Sequence, residues 1–130
     1  MKLILSSIAL VILFSNITFA QNIDFDHDGL TRQYRIHIPS ALPDSPALVI
    51  AMHGYGGNNN EMMNDYGWTE LADERGFVIA FPNGTRDQSN TRFWDVDYSF
   101  HAGFDIDDDG FIRELALHLQ QLHGTAPNKI

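Results

Sequence analysis

The 130-residue chain has no cysteine. This excludes disulfides, thiolate metal sites and a thiol nucleophile, so whatever folds must be held by an ordinary apolar core. Basic residues are scarce as well: 8 Lys and Arg stand against 17 Asp and Glu, a formal net charge of −9. A polyanion repels nucleic acid and anionic lipid, and neither is an expected partner. Internal repeats and low-complexity tracts are missing. So are long apolar runs after the first twenty residues. The one such run, Leu3 to Phe14, broken only by Ser6-Ser7, follows the basic Lys2 and precedes Thr18-Phe19-Ala20. It is too short to span a bilayer comfortably. Met1 to Ala20 therefore reads as a signal peptide cleaved after Ala20, a retained anchor being the alternative. The remainder, 21–130, is long enough for one small domain, expected to be secreted or periplasmic and off the membrane after cleavage.

What is present after Ala20 has a clear order. Arg32 to Pro39 alternates with period two, placing Tyr34, Ile36 and Ile38 on one face of a half-buried strand. Ala47 to Met52 is a continuous apolar run, as in a strand buried on both faces. His53 to Asn60, rich in glycine and asparagine, reads as irregular. Trp68, Leu71, Ala72 and Arg75 fall at helical spacing and Gly76 ends that helix. Phe77 to Phe81 is another buried strand closed by Pro82. Residues 83–104 form a long aromatic-rich loop of the kind that is usually functional. Asp107-Asp108 opens a last helix with an apolar stripe of Phe111, Ile112, Leu115, Leu119 and Leu122, ended by Gly124. Pro127 to Ile130 resembles the approach to a further strand. The expected class is α/β: a mostly parallel sheet with helices on both faces, incomplete at the C-terminus.

The chemistry is concentrated where the apolar strand runs into His53-Gly54-Tyr55-Gly56-Gly57. Ligands of open α/β sheets bind at the carboxyl ends of strands, and glycines let backbone N–H groups approach a substrate oxygen. Two such donors aimed at a tetrahedral oxyanion are each worth roughly 3–4 kcal/mol in acyl transfer. The Tyr55 N–H is the natural first donor, with His53, Gly54, Gly56 and Gly57 forming the loop. A plain glycine-rich connection is the competing reading. Trp94 and His101, in the long loop, are candidate substrate contacts.

Two acidic stretches, Asp24 to Gly29 and Asp105 to Ile112, imitate calcium loops, but their twelfth positions are Arg35 and Ala116 rather than glutamate. They read as a hairpin turn and a helix start. No metal site is expected, since the six histidines show no ligand spacing, and most of them should be surface or satisfied core residues. Asn83-Gly84-Thr85 fits a glycosylation sequon, a pattern frequent by chance.

Five ordered blocks together carry a resemblance: Arg32 to Pro39, Leu48 to Gly57, Trp68 to Gly84, Trp94, and Asp107 to Ile112. The chain resembles the secreted α/β-hydrolases of the polyhydroxybutyrate depolymerase-like and feruloyl-esterase-like group over nearly all of 21–130. The resemblance implies hydrolysis of carboxylic esters by a Ser-His-Asp triad, without cofactor, on polyester or on acyl, acetyl or feruloyl esters of plant polysaccharide. It further implies that His53 braces the loop and that the Tyr55 N–H shares the oxyanion with an N–H beside the nucleophile. None of Ser40, Ser45, Ser89 and Ser99 lies in a Gly-X-Ser-X-Gly frame. The chain is therefore expected to be the N-terminal portion of such a domain, truncated before the nucleophile and inactive alone. The alternatives are a non-catalytic calcium-binding or adhesion module, or an inactive fragment.

Overall fold

A computed structural model of the chain describes residues 21–130; the expected signal peptide, 1–20, lies outside the described residues. Two strands open the fold, β1 (Ile23–His27) and β2 (Leu30–His37), joined by Asp28-Gly29. Both turn residues have positive φ, 47° and 74°, the requirement of the tightest hairpin turns and the reason Asp-Gly serves there. After a proline-containing loop comes β3 (Leu48–Ile50). The chain then enters α1 (Asn59–Asn64) and α2 (Trp68–Arg75) before returning as β4 (Val78–Pro82). A short hairpin follows, β5 (Thr85–Arg86) and β6 (Arg92–Phe93), then one 3-10 turn at Ser99–His101 and the long α3 (Asp108–His123).

The α/β class holds, but the sheet expected to be mostly parallel is mixed, in the order β1-β2-β4-β3. Only β3 and β4, separated by two helices, run parallel, while β1–β2 and β2–β4 are antiparallel. The two-residue Asp-Gly turn permits only an antiparallel partner for β1. Helices do cover both faces. Phe111, Leu115 and Leu119 of α3 pack on Tyr34, Leu48, Val78 and Ala80. Met63 and Ala72 of the two shorter helices pack on Ile79 and Phe81. Strand β4 is accordingly buried along its whole length.

Local expectations also need correction: most of Asp24 to Gly29 is strand β1 rather than turn, Ile38 is exposed beyond the end of β2, and 83–104 contains the β5–β6 hairpin. The strand expected over Ala47 to Met52 is shorter, and Met52, beyond its end, is exposed on an open apolar groove. Asn59-Asn60 are helical rather than irregular: the Asn58 side chain accepts the N–H groups of Asn60 and Glu61 at 2.9 and 3.1 Å and so starts α1. Leu122 is 60 % exposed and leaves the apolar stripe. Beyond α3, the N–H of Ala126 bonds the carbonyl of Pro46 and Lys129 accepts from the N–H of Leu48, so residues 126–129 run beside β3.

Candidate active site

The His53–Gly57 loop leaves the carboxyl end of β3 and is pinned at several points. The Gly57 N–H closes a turn on the Gly54 carbonyl at 3.0 Å. Gly56, third in that turn, has φ +78° and donates to the Arg92 carbonyl of β6 at 2.8 Å. A left-handed φ of that size is costly for an L side chain. The Gly56 and Gly57 amides are thus occupied. The Tyr55 N–H, at the outer corner of the turn, donates to no group among the described residues.

His53 is only 4 % exposed and serves this loop from beneath. Its Nε2 accepts from the Gly84 N–H at 3.0 Å, so Nδ1 carries the proton and donates to the Gly54 carbonyl at 2.7 Å. The His53 carbonyl accepts the Trp94 indole N–H at 2.8 Å, with the two rings 5.1 Å apart. Burial lowers the His53 pKa, helped by the Arg92 charge and opposed by the bond to Gly54. Both nitrogens of this imidazole are engaged, tying the loop to the end of β4.

Gly84 and Asn83 complete the support. A Cβ on Gly84 would overlap the Phe93 carbonyl oxygen, so only glycine lets β6 approach the end of β4. Asn83 is buried, and its Oδ1 accepts the Asn59 N–H at 2.9 Å. The sequon asparagine is therefore structural and out of reach of a glycan.

Above the loop, the Tyr55 ring is 62 % exposed and its hydroxyl donates to Asp87 Oδ2 at 3.0 Å, the main reason the phenol pKa is raised. Asp87 Oδ1 also accepts the N–H groups of Ser89 and Thr91, at 2.8 and 2.9 Å, shaping the β5–β6 turn. The Thr91 bond is the first cause of the lowered Asp87 pKa. Tyr55, Asp87, Phe100 and His101 line a cavity of about 350 Å³. His101 is 4 % exposed, with its ring 4.0 Å from that of Phe93 and its Nε2 3.7 Å from Asp87 Oδ2, too long for a hydrogen bond. Trp94 sits in the core with the α3 residues and reaches the site only through His53.

Residue-by-residue reading of the sequence missed Asn83, Gly84 and Asp87. The signals available were a Pro-Asn-Gly after a buried strand and an Asp two residues before a Ser, both turn chemistry. It also missed His27, which lies not in the turn but at the end of β1. It is buried, with Nδ1 2.8 Å from Glu114 Oε2 and Nε2 3.2 Å from Asp107 Oδ2. The acidic stretch from Asp105 is engaged in structure: Asp107 caps α3 through the Gly110 N–H at 2.9 Å, and Asp108 pairs with Arg32 at 2.5 Å. No group of three or more His, Asp or Glu side chains is poised for a metal among the described residues. Nor, among those residues, is any helix long and apolar enough to cross a membrane.

No family model matches the chain. It is similar to feruloyl esterase B of Talaromyces funiculosus, 33 % identical over 85 residues, which cover 65 % of this chain and 24 % of the relative. It is also similar to the bifunctional acetylxylan esterase/xylanase XynS20E of Neocallimastix patriciarum, 31 % identical over 68 residues, 52 % of this chain and 10 % of the relative. The matched stretch thus spans at most about a quarter of the length of these curated relatives. Among solved structures, the acetyl xylan esterase from Aspergillus awamori superposes with a TM-score of 0.44 at 24 % identity, covering 50 % of this chain and 24 % of that one. The sequence similarity is to carboxylic-ester hydrolases.

Proposed function

We propose that residues 21–130 are the N-terminal portion of an exported serine esterase domain, and that the His53–Gly57 loop supplies its first oxyanion donor. The observation that carries this reading is the Tyr55 N–H. Among the described residues it stands unbonded at a strand's carboxyl end while Gly56, Gly57 and His53 hold its neighbours in place. A donor fixed before reaction stabilises developing negative charge without reorganising. No serine of 21–130 occupies a Gly-X-Ser-X-Gly frame, so this reading places the serine nucleophile outside these 130 residues. The substrate is a carboxylic ester of the feruloyl or acetyl-xylan kind named in the relatives, with hydroxyalkanoate polyester as a third class. Met1 to Ala20 directs export.

Amide NMR of this chain tests the loop. Titrated with methylphosphonate, a tetrahedral anion, the Tyr55 amide proton should move downfield while those of Gly56 and Gly57 stay within their existing bonds. A Tyr55 amide that is protected from exchange and indifferent to the anion would remove the basis of the proposal. The chain alone should neither hydrolyse methyl ferulate, acetylxylan or a hydroxybutyrate ester nor take a fluorophosphonate label. Turnover by these 130 residues would overturn the placement of the nucleophile.

A further inference from the structure

The geometry points to a second binding site, unrelated to the oxyanion loop reading: a pocket for a small organic carboxylate between β2 and the β5–β6 hairpin. A cavity of about 380 Å³ lies there, lined by Arg32, Thr85, Arg86 and Arg92 together with Leu30 and Ile106. Arg86 and Arg92 face each other directly in the β5–β6 register. Like charges in that relation are unfavourable. Among the described residues neither has a carboxylate within ion-pair distance, in a chain with twice as many acids as bases. Their protein partners are main-chain carbonyls only: Arg92 donates to Gly84 at 2.9 Å and Arg86 to Asn90 at 2.6 Å. Both guanidinium groups keep further N–H donors free.

Arg32 adds the second, independent observation. It is 4 % exposed, and its Nη2 serves Asp108 and the Asn83 carbonyl, but its Nη1 is buried with no acceptor among the described residues. The Thr85 hydroxyl, on the same wall, is buried and equally without a partner. A buried donor without an acceptor is costly, and native interiors seldom leave several around one cavity. Burial and the neighbouring Arg86 charge both disfavour the charged form of Arg92. An anion between them reverses that balance. Guanidinium groups recognise the two oxygens of a carboxylate in a forked geometry. The apolar side chains of Leu30 and Ile106 leave room and contact for a hydrocarbon or aromatic body, which inorganic phosphate does not have.

Isothermal titration calorimetry of the full chain at fixed ionic strength tests this with benzoate, the isosteric neutral benzamide, and inorganic phosphate. Benzoate should bind one to one and raise the melting temperature, with benzamide and phosphate at least tenfold weaker. In Arg86→Glu, on the exposed strand, the new carboxylate should pair with Arg92. This should raise the melting temperature without ligand and weaken benzoate at least tenfold. Arg92→Gln should weaken benzoate similarly; if that variant does not fold, Arg86→Glu decides. Equal binding of benzamide, tighter binding of phosphate than of benzoate, or undiminished benzoate affinity in Arg86→Glu would each overturn the site.

Discussion

His53 Nε2 accepts the main-chain N–H of Gly84 at 3.0 Å, tying the exit of β3 to the exit of β4. Two loops that the sequence separates by thirty residues are thereby held as one rim. The loop's shape depends on a neutral, buried imidazole as much as on its own glycines.

Gly84→Ala should be the most damaging small change at this rim. The added methyl would overlap the Phe93 carbonyl oxygen, which is backbone and has little room to yield. A loss of about 3 kcal/mol is expected, read as a shift in the urea midpoint. A variant within 0.5 kcal/mol, on the same order as a neutral surface change, would mean that β6 relaxes freely.

Stability should depend on pH through two histidines of opposite sign. The His27 pKa is raised from 6.5, first by its hydrogen bond to Glu114, against the effect of burial. Its contribution is therefore complete below pH 6.5 and is lost as pH rises through the folded value. The His53 pKa is lowered from 6.5 by burial, so stability falls as pH drops below 6.5 through its folded value. In melting curves, His27→Gln should flatten the alkaline decline and His53→Gln the acid one. If each variant altered the other limb instead, the assignment would be wrong.

Asp108 should matter more than its place at a helix start suggests. It pairs at 2.5 Å with buried Arg32 and accepts the Asp95 N–H at 2.6 Å. Asp108→Ala leaves Arg32 uncompensated and should cost about 3–5 kcal/mol. The double change Arg32→Met with Asp108→Leu should recover much of it, as a denaturant double-mutant cycle would measure.

Along α3, burial should separate residues that share one hydropathy. Leu119 is fully buried and Leu122 exposed. Leu119→Ala is expected to cost about 2–5 kcal/mol and Leu122→Ala less than about 0.5 kcal/mol. Equal losses would place the outer face of α3 in a core.

The elements with the strongest period were the most legible. Phe77 to Phe81 reads as a buried strand and is one over Val78–Pro82, and Asp107-Asp108 followed by Phe111, Leu115 and Leu119 reads as the capped helix that is observed. Strand direction was not legible, because a half-buried strand such as β2 has the same alternation whether its partner is parallel or antiparallel. Arg32 has the same parity as Tyr34 and Ile36, but nothing local marks a charged side chain for burial. Its burial is supported by groups distant in sequence, Asp108 first, with the Asn83 carbonyl and the Phe111 ring. Asn58 to Asn60 looked like loop for the reason that it caps a helix, since asparagine favours both. At the site, the glycines of the His53 loop were visible in the sequence. The contacts that hold it, from Gly84, Arg92 and Trp94, are tertiary and leave no local mark.

The Trp94–His53 contact also gives the molecule its own optical gauge. An imidazolium beside an indole drains its excited state, whereas a neutral imidazole does so far less. One of only two tryptophans in the chain thus sits 5.1 Å from the ring that steadies the rim. Its emission should stay bright for as long as that ring stays uncharged and in place, and dim as acid reaches it.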